Sequence, residues 1–188
     1  MNGNPLHTLR RTPALVAALA LLATGGCATV PAPVEQTPQV TDVAVELWTN
    51  RDRAEYAIGE TMQLYLRTND TAQVVVFNID AMNRTTVLFP NDYATQNRLP
   101  GGETHALPGL GAAFQFRVVA PAGENLIRVI ATTSERPILE PQALTRGAGP
   151  FPGYTQPPEA VVRQVQVMAA EQPGMRWAMQ DYRFRVVP

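Results

Sequence analysis

Side chains that could carry out covalent chemistry are scarce in this chain of 188 residues. It contains one cysteine, Cys27, one serine, Ser134, and two histidines, His7 and His105. His7 lies in an N-terminal segment with the features of a cleaved export signal. In the remaining chain, a Ser-His-acid triad could therefore be built only from Ser134 and His105. Ser134 is followed by Glu-Arg-Pro and lacks the glycines of a nucleophile elbow, which favours a solvated turn serine. We therefore expect no catalytic residues and no enzyme.

Metal and cofactor sites are equally poorly supplied. Zinc typically takes several His or Cys ligands, which this chain cannot provide. A calcium site at Asp80 and Asn83 is conceivable, but the dense acidic spacing of a dedicated loop is missing. The candidates for a hydrolytic carboxylate pair are Glu55, Glu60, Glu103 and Glu124. No motif brings two of them together. The sequence predicts neither a metal site nor a cofactor.

The N-terminus has the features of an export signal. Arg10 and Arg11 precede an uninterrupted apolar run at residues 13–23, which small residues follow. A cleavable signal has this order of a basic start, an apolar centre of about 7 to 15 residues and a small-residue cleavage site. The run is too short to span a bilayer, which needs about 20 apolar residues. Residues 1–26 are therefore predicted to be a signal peptide.

The end of that segment, Ala-Thr-Gly-Gly-Cys, resembles the lipobox of bacterial lipoproteins. The resemblance implies that Cys27 becomes the lipidated first residue and holds the protein permanently at a membrane. Thr24 departs from the leucine usual at its position. Lipoprotein sorting, as the resemblance implies it, retains proteins with aspartate after the cysteine in the inner membrane. Ala28 therefore favours the outer membrane, with the protein facing the periplasm.

The rest of the chain divides into a tether and one domain. Residues 27–41 carry Pro31, Pro33 and Pro38 and few large apolar side chains, so we expect an extended, disordered tether. Residues 42–188 have the length of a single domain. Without Arg10 and Arg11, 13 arginines stand against 16 acidic residues. A nucleic-acid partner is therefore not expected, because binding a phosphate backbone needs a basic surface.

Short segments with two-residue alternation recur between turn signals, a pattern typical of a β-sandwich or barrel. The fold class predicted is all-β, as a single antiparallel β-sandwich, either Ig-like or transthyretin-like. Residues 74–79 are apolar on both faces, as a central strand would be. Residues 161–168 and 177–187 are predicted to form a closing hairpin around Gln172-Pro173-Gly174. No helix is expected.

Residues 56–131 resemble the domain-of-unknown-function family DUF4384. The matching segments are Tyr-x-x-Gly-Glu at 56–60, Val-Phe-Asn-Ile-Asp at 76–80, Leu-Phe-Pro-Asn at 88–91, and Gly-Glu at 123–124 before residues 127–131. The resemblance implies an all-β fold in bacterial envelope lipoproteins and brings no catalytic residues. Where the family usually has glycine in a turn, Asn83 is present, and asparagine also accepts left-handed backbone.

The matched residues have structural interpretations. Gly59 allows a turn before the next strand, Asn78 and Asp80 can bond turn amides, and Pro90 with Asn91 ends a strand. Trp48 and Trp177 could be platforms for a ligand, although packing at a core or an edge is the commoner role of aromatic residues in strands.

A Pro/Gly-rich segment at residues 137–159 interrupts the strand pattern. Long loops of this kind tend to be functional or disordered. Prolines stiffen the backbone in advance, and Phe151 and Tyr154 look exposed, so they are the candidate partner-binding residues. Equally, the segment could be a flexible loop that packs loosely over the sandwich and binds no partner.

Together these features favour a noncatalytic cell-envelope lipoprotein that binds or helps assemble another envelope protein. A lipoprotein that recognises glycan or peptidoglycan through Trp or Tyr is the alternative. The sequence names neither the protein partner nor any small-molecule ligand.

Overall fold

The computed structural model describes residues 43–146 and 149–188. The predicted signal peptide, Cys27 and the tether lie outside the described residues. The strands are β1 (Val45–Thr49), β2 (Glu55–Ala57), β3 (Thr61–Met62), β4 (Leu64–Thr68), β5 (Ala72–Ile79), β6 (Thr85–Phe89), β7 (Arg98–Leu99), β8 (Thr104–Leu107), β9 (Phe116–Arg117), β10 (Gly123–Thr132), β11 (Leu144–Thr145), β12 (Gly153–Tyr154) and β13 (Trp177–Val187). One α-helix, α1 (Pro158–Glu171), precedes β13. In this part of the chain no helix is both long and apolar enough to cross a membrane.

The strands form an all-β, sandwich-like domain, which confirms the predicted fold class. A large sheet has the order β11-β12-β6-β5-β10-β13-β2, with β7 pairing beside β5. A small sheet has the order β1-β4-β8, and β3 pairs with β9 alone. Every pairing of the described strands is antiparallel except that of β2 with β13, which is parallel.

The central strand β5 is buried on both faces, as its sequence predicted. Because side chains alternate along a strand, Val74 and Val76 join one core while Val75 and Phe77 join the other. The first, the sandwich core, lies between the large sheet and the strands of the small sheet and the β3–β9 pair. Its largest fully buried side chains are Tyr56, Leu64, Leu66, Ile127, Val74, Val76 and Val129.

The second core, the helix-side core, packs the opposite face of β5 against α1. The prediction of a strand at residues 161–168 was wrong, because these residues lie inside the helix. Val161, Val165 and Met168 are buried at the spacing of one helix face, and Pro158 occupies a first-turn position where its missing amide costs nothing. The valines suggested a strand, but packing overrode their weak preference. The strand predicted at residues 177–187 is confirmed as β13.

Residues 137–146 and 149–157 contain more regular structure than the sequence indicated. They contain a 3-10 turn at Pro141–Ala143 and the short strands β11 and β12, and β12 extends the large sheet by pairing with β6. Ile138 and Tyr154 are buried in the helix-side core. Through these two side chains the described parts of the segment pack against one face of the large sheet.

Candidate binding groove

Strand β9 has a partner on only one side among the described strands. Val118 donates its amide to Glu60 O at 2.8 Å and accepts from the amide of Gly59 at 2.8 Å, so the backbone of Val118 faces β3. Successive residues of a strand direct their backbone groups to opposite sides. The N–H and C=O groups of Gln115, Arg117 and Val119 therefore face away from β3. No backbone hydrogen bond joins them to another described strand.

A groove of about 690 Å³ runs along this edge. All of residues 115–120 line it, together with side chains from β5, β6, β10 and β13. Apolar groups dominate its inner part, among them Ile127 and Phe184 of the sandwich core. Its volume falls within the roughly 300–1,000 Å³ of protein sites for small ligands, and its apolar lining with a few polar groups is typical of them.

Two side chains that line the groove, Asn78 and Thr85, each have a buried oxygen without a hydrogen-bond partner among the described residues. Asn78 lines the groove, and its Oδ1 is buried without a hydrogen bond from any described residue. The prediction that Asn78 bonds turn amides was therefore wrong, because it lies within β5, opposite Thr86 of β6, and before the turn. A buried, unsatisfied acceptor costs about 1–3 kcal/mol. A ligand that donates an N–H to Asn78 would recover this cost.

The charged groups at the groove differ in how far they are already engaged. Asp80 accepts from the amides of Met82 and Arg84 at 2.9 Å and binds the Arg84 guanidinium at 2.7 Å. It holds the β5–β6 turn as predicted, and Asn83 has the left-handed φ of 60° that the sequence allowed. Arg117 donates to Gly59 O at 3.0 Å and forms no ion pair within the described residues. Among the charged residues described at the groove, Arg117 is therefore the one whose charge a ligand could pair with.

The conceivable calcium site at Asp80 gains no support from this geometry. Both carboxylate oxygens of Asp80 are taken by the turn amides and by Arg84. In the part of the chain that the structure describes, no group of three or more His, Cys, Asp or Glu residues could hold a metal ion.

The two candidate partner-binding residues lie in different places. Tyr154 is buried against Phe77 with ring centroids 5.7 Å apart, and burial raises the pKa of its hydroxyl. Its predicted exposure was wrong, because β12 carries it into the helix-side core. Phe151 is half-buried and lines the groove, with its ring 5.6 Å from that of Phe116. Phe151 therefore contributes to the groove wall and does not project from a loop.

The start of the β3–β9 pair depends on a cluster at residues 51–60. The Arg51 guanidinium holds both oxygens of Glu60 at 2.7 and 2.8 Å and lies over the ring of the fully buried Tyr56. The amide of Ala57 donates to Glu60 at 2.8 Å, and Gly59 has a φ of 93°. The hydrogen bond from Arg51, followed by that from Ala57, lowers the pKa of Glu60. This cluster fixes the turn against which Val118 bonds.

Part of this sequence is similar to a known sequence family. Residues 55–135 match the family model for the domain of unknown function DUF4384. This match confirms the resemblance drawn from the sequence. No curated protein and no solved structure gives a match.

The DUF4384 segment supplies most of the groove. It runs from β2 past the end of β10 and therefore includes β9, Asn78 and the Asp80 turn. Phe151 and the β13 residues at the groove come from beyond it. The family motifs Tyr-x-x-Gly-Glu and Leu-Phe-Pro-Asn have the structural roles predicted for them. Asn91, for example, accepts from the amides of Tyr93 and Ala94 after β6.

His105 and Ser134 hydrogen-bond to different groups. His105, on β8, bonds Pro100 O through Nε2 at 3.0 Å. Ser134 donates to Gln172 Oε1 at 3.1 Å and accepts from the amide of Arg136. Ser134 is buried, so the expectation of a solvated turn serine was wrong. Neither residue lines the groove.

The two tryptophans pack as aromatic residues in strands usually do. Trp48 stacks on Tyr65 with centroids 5.8 Å apart and is about one-third exposed, at 37%. Trp177 packs against the helix-side core. Neither lines the groove.

Sequence reasoning missed the groove and its polar groups. The signal for Asn78 was present, since it shares the strand face of Val74 and Val76 and is thus a polar residue on an inward face. Gln115 and Arg117 alternate with Phe114, Phe116 and Val118, as in an ordinary strand. Whether a strand has a second neighbour depends on pairing with residues far away in the sequence. The alternation of side chains within the strand gives no information about this pairing.

Proposed function

We propose that this protein is a noncatalytic cell-envelope lipoprotein whose groove beside β9 binds a protein partner. Cys27 carries acyl chains that anchor the chain in the outer membrane, and the tether at residues 27–41 presents the β-domain in the periplasm. The lipobox-like segment and Ala28 support the anchoring.

The groove is the observation that carries the binding role. It is apolar inside, has an unsatisfied acceptor at Asn78, and borders a strand edge whose backbone groups have no partner among the described strands. The described residues that line it include no His, Ser, Cys or Glu, and the one acid, Asp80, is engaged by Arg84. This composition favours binding over catalysis.

Filling the groove tests the proposal. Thr86 is half-buried on β6 and lines the groove, so Thr86→Phe should occupy part of its volume without removing a core side chain. Thr104→Phe, at an exposed position on β8, is the matched control. In co-purification from detergent-solubilised membranes, Thr86→Phe should lose the partner and Thr104→Phe should keep it. Equal recovery with both folded variants would contradict the proposal.

The anchor is tested separately. Cys27→Ser cannot form the thioether, so the protein should remain unprocessed or soluble, and mass spectrometry of the mature N-terminus should find acylated Cys27 in the wild type. An unmodified Cys27, or a mature chain beginning elsewhere, would contradict the lipoprotein assignment.

A further inference from the structure

We propose that the groove takes an extended segment of the partner, which adds as a strand to the free edge of β9. This inference rests on the proposed function and specifies its mode of binding. The recognised segment alternates apolar residues with polar ones and carries an acidic residue opposite Arg117.

The backbone of β9 supplies the first argument. Six consecutive residues, 115–120, line the groove, so the groove follows the strand edge instead of opening between side chains alone. The edge presents N–H and C=O groups of Gln115, Arg117 and Val119, which an added strand would bond. An exposed edge of this kind is a template for strand addition, in which main-chain bonds provide affinity and alternate side chains provide specificity.

The side chains of β9 define the partner's pattern. Cross-strand neighbours share a sheet face. Residues of the added strand on the face of Phe116 and Val118 would therefore point inward, toward Ile127 and Phe184, and should be apolar. Residues on the opposite face would lie beside Arg117 in solvent and should be polar.

Charge completes the pattern. Arg117 has no carboxylate partner among the described residues, whereas Arg84 at the same groove is paired with Asp80. An acidic residue beside Arg117 would make a favourable cross-strand pair, and a basic residue there would be disfavoured.

Synthetic peptides test this mode on the full-length protein in detergent. The probe is a short peptide of alternating valine and threonine with a central glutamate, and its counterpart has lysine in place of that glutamate. Wild-type protein should bind the glutamate peptide more tightly, by about fivefold. Arg117→Glu should reverse the preference, a rescue that a purely structural role for Arg117 would not produce. Isothermal titration measures both.

N-methylation of the same peptide tests the backbone bonds. Methyl groups on the amides along one side of the peptide should weaken binding by about tenfold or more, equivalent to about 1.4 kcal/mol. Methyl groups on the other side should weaken it less. Equal effects from both sides, or no preference between the glutamate and lysine peptides, would overturn strand addition.

Failure of this inference is distinguishable from failure of the proposed function. If neither peptide binds, or if muropeptides bind and peptides do not, strand addition is wrong. The groove would still be the partner site if Thr86→Phe abolished co-purification while Thr104→Phe did not. If neither peptide binds and the Thr86→Phe and Thr104→Phe variants recover the partner equally, both proposals are wrong.

Discussion

The two faces of the large sheet are closed by different means. On one face, α1 and residues 137–146 and 149–157 cover Val75 and Phe77 with a helix, a 3-10 turn and two short strands that extend the sheet itself. On the other face, the small sheet and the β3–β9 pair cover Val74 and Ile127 but stop at β9. A groove of about 690 Å³ remains beside that strand.

We therefore assign a mainly stabilising role to the face covered by α1 and a binding role to the face with the groove. The Pro/Gly-rich segment, which composition suggested as the recognition element, buries Tyr154 in the helix-side core and contributes Phe151 to the groove wall. The recognition surface that we propose lies instead at an ordinary-looking strand, because that strand has one neighbour where an interior strand has two. The unpaired backbone groups of β9 and the unsatisfied Asn78 lie on this side.

The largest effect is expected on the closed face. Tyr154→Ala should destabilise the fold by about 3–5 kcal/mol, because truncating a buried aromatic residue leaves a cavity. Phe151→Ala, at a half-buried position, should cost less. Thermal and denaturant unfolding measure both. A Tyr154→Ala protein as stable as the wild type would show that β12 does not contribute to the core.

Asn78→Val should separate the two properties on the open face. Removing the unsatisfied acceptor and placing a β-branched residue in β5 should raise stability by about 1–2 kcal/mol while weakening partner binding. Unfolding curves and partner recovery from membranes are the two readouts. If Asn78→Val lowers stability, or raises stability while recovery of the partner stays unchanged, Asn78 has no role in partner binding at the groove.

Acid should loosen the start of β9 through Glu60. Its pKa is lowered in the folded state, so its stabilising contribution is present above the ordinary carboxyl pKa, about 4.3, and is lost as the pH falls through the lower folded value. Glu60→Gln should therefore reduce stability at neutral pH and flatten the acid limb of the stability profile. An unchanged acid limb in this variant would assign the acid sensitivity to other carboxylates.

The smallest functional effect is expected from the residues with the most reactive side chains. His105→Ala combined with Ser134→Ala should still complement a deletion strain, because neither residue lines the groove. Loss of the Ser134–Gln172 bond should cost about 1 kcal/mol of stability. A folded, membrane-bound double variant that fails to complement would contradict the noncatalytic role.

Local pattern predicted the long strands and little of their surroundings. β5 and β13 were foreseen because burial on one or both faces leaves a periodic trace in their residues. α1 was missed because its valines favour strands, and the helix is selected by its packing on Phe77 and its neighbours. β11 and β12 have two residues each, too few for any periodicity.

The groove could not be predicted from the local sequence pattern, for a related reason. Whether Arg117 lies on an interior or an edge strand depends on which distant segment pairs beside it, and its own alternation with Phe116 and Val118 is the same in either case. Tyr154 shows the converse, since its Pro/Gly-rich surroundings suggested exposure while pairing with β6 buried it.

In-cell photocrosslinking tests most directly whether the groove is the binding site. A benzophenone amino acid replaces the exposed Val119 beside the groove, and the same residue replaces Trp48 on the small sheet as the matched control. Crosslinks to a single envelope protein from position 119, and none from position 48, are the predicted result. Crosslinks to that protein from position 48 with none from position 119 would place the interface on the small sheet and contradict the account.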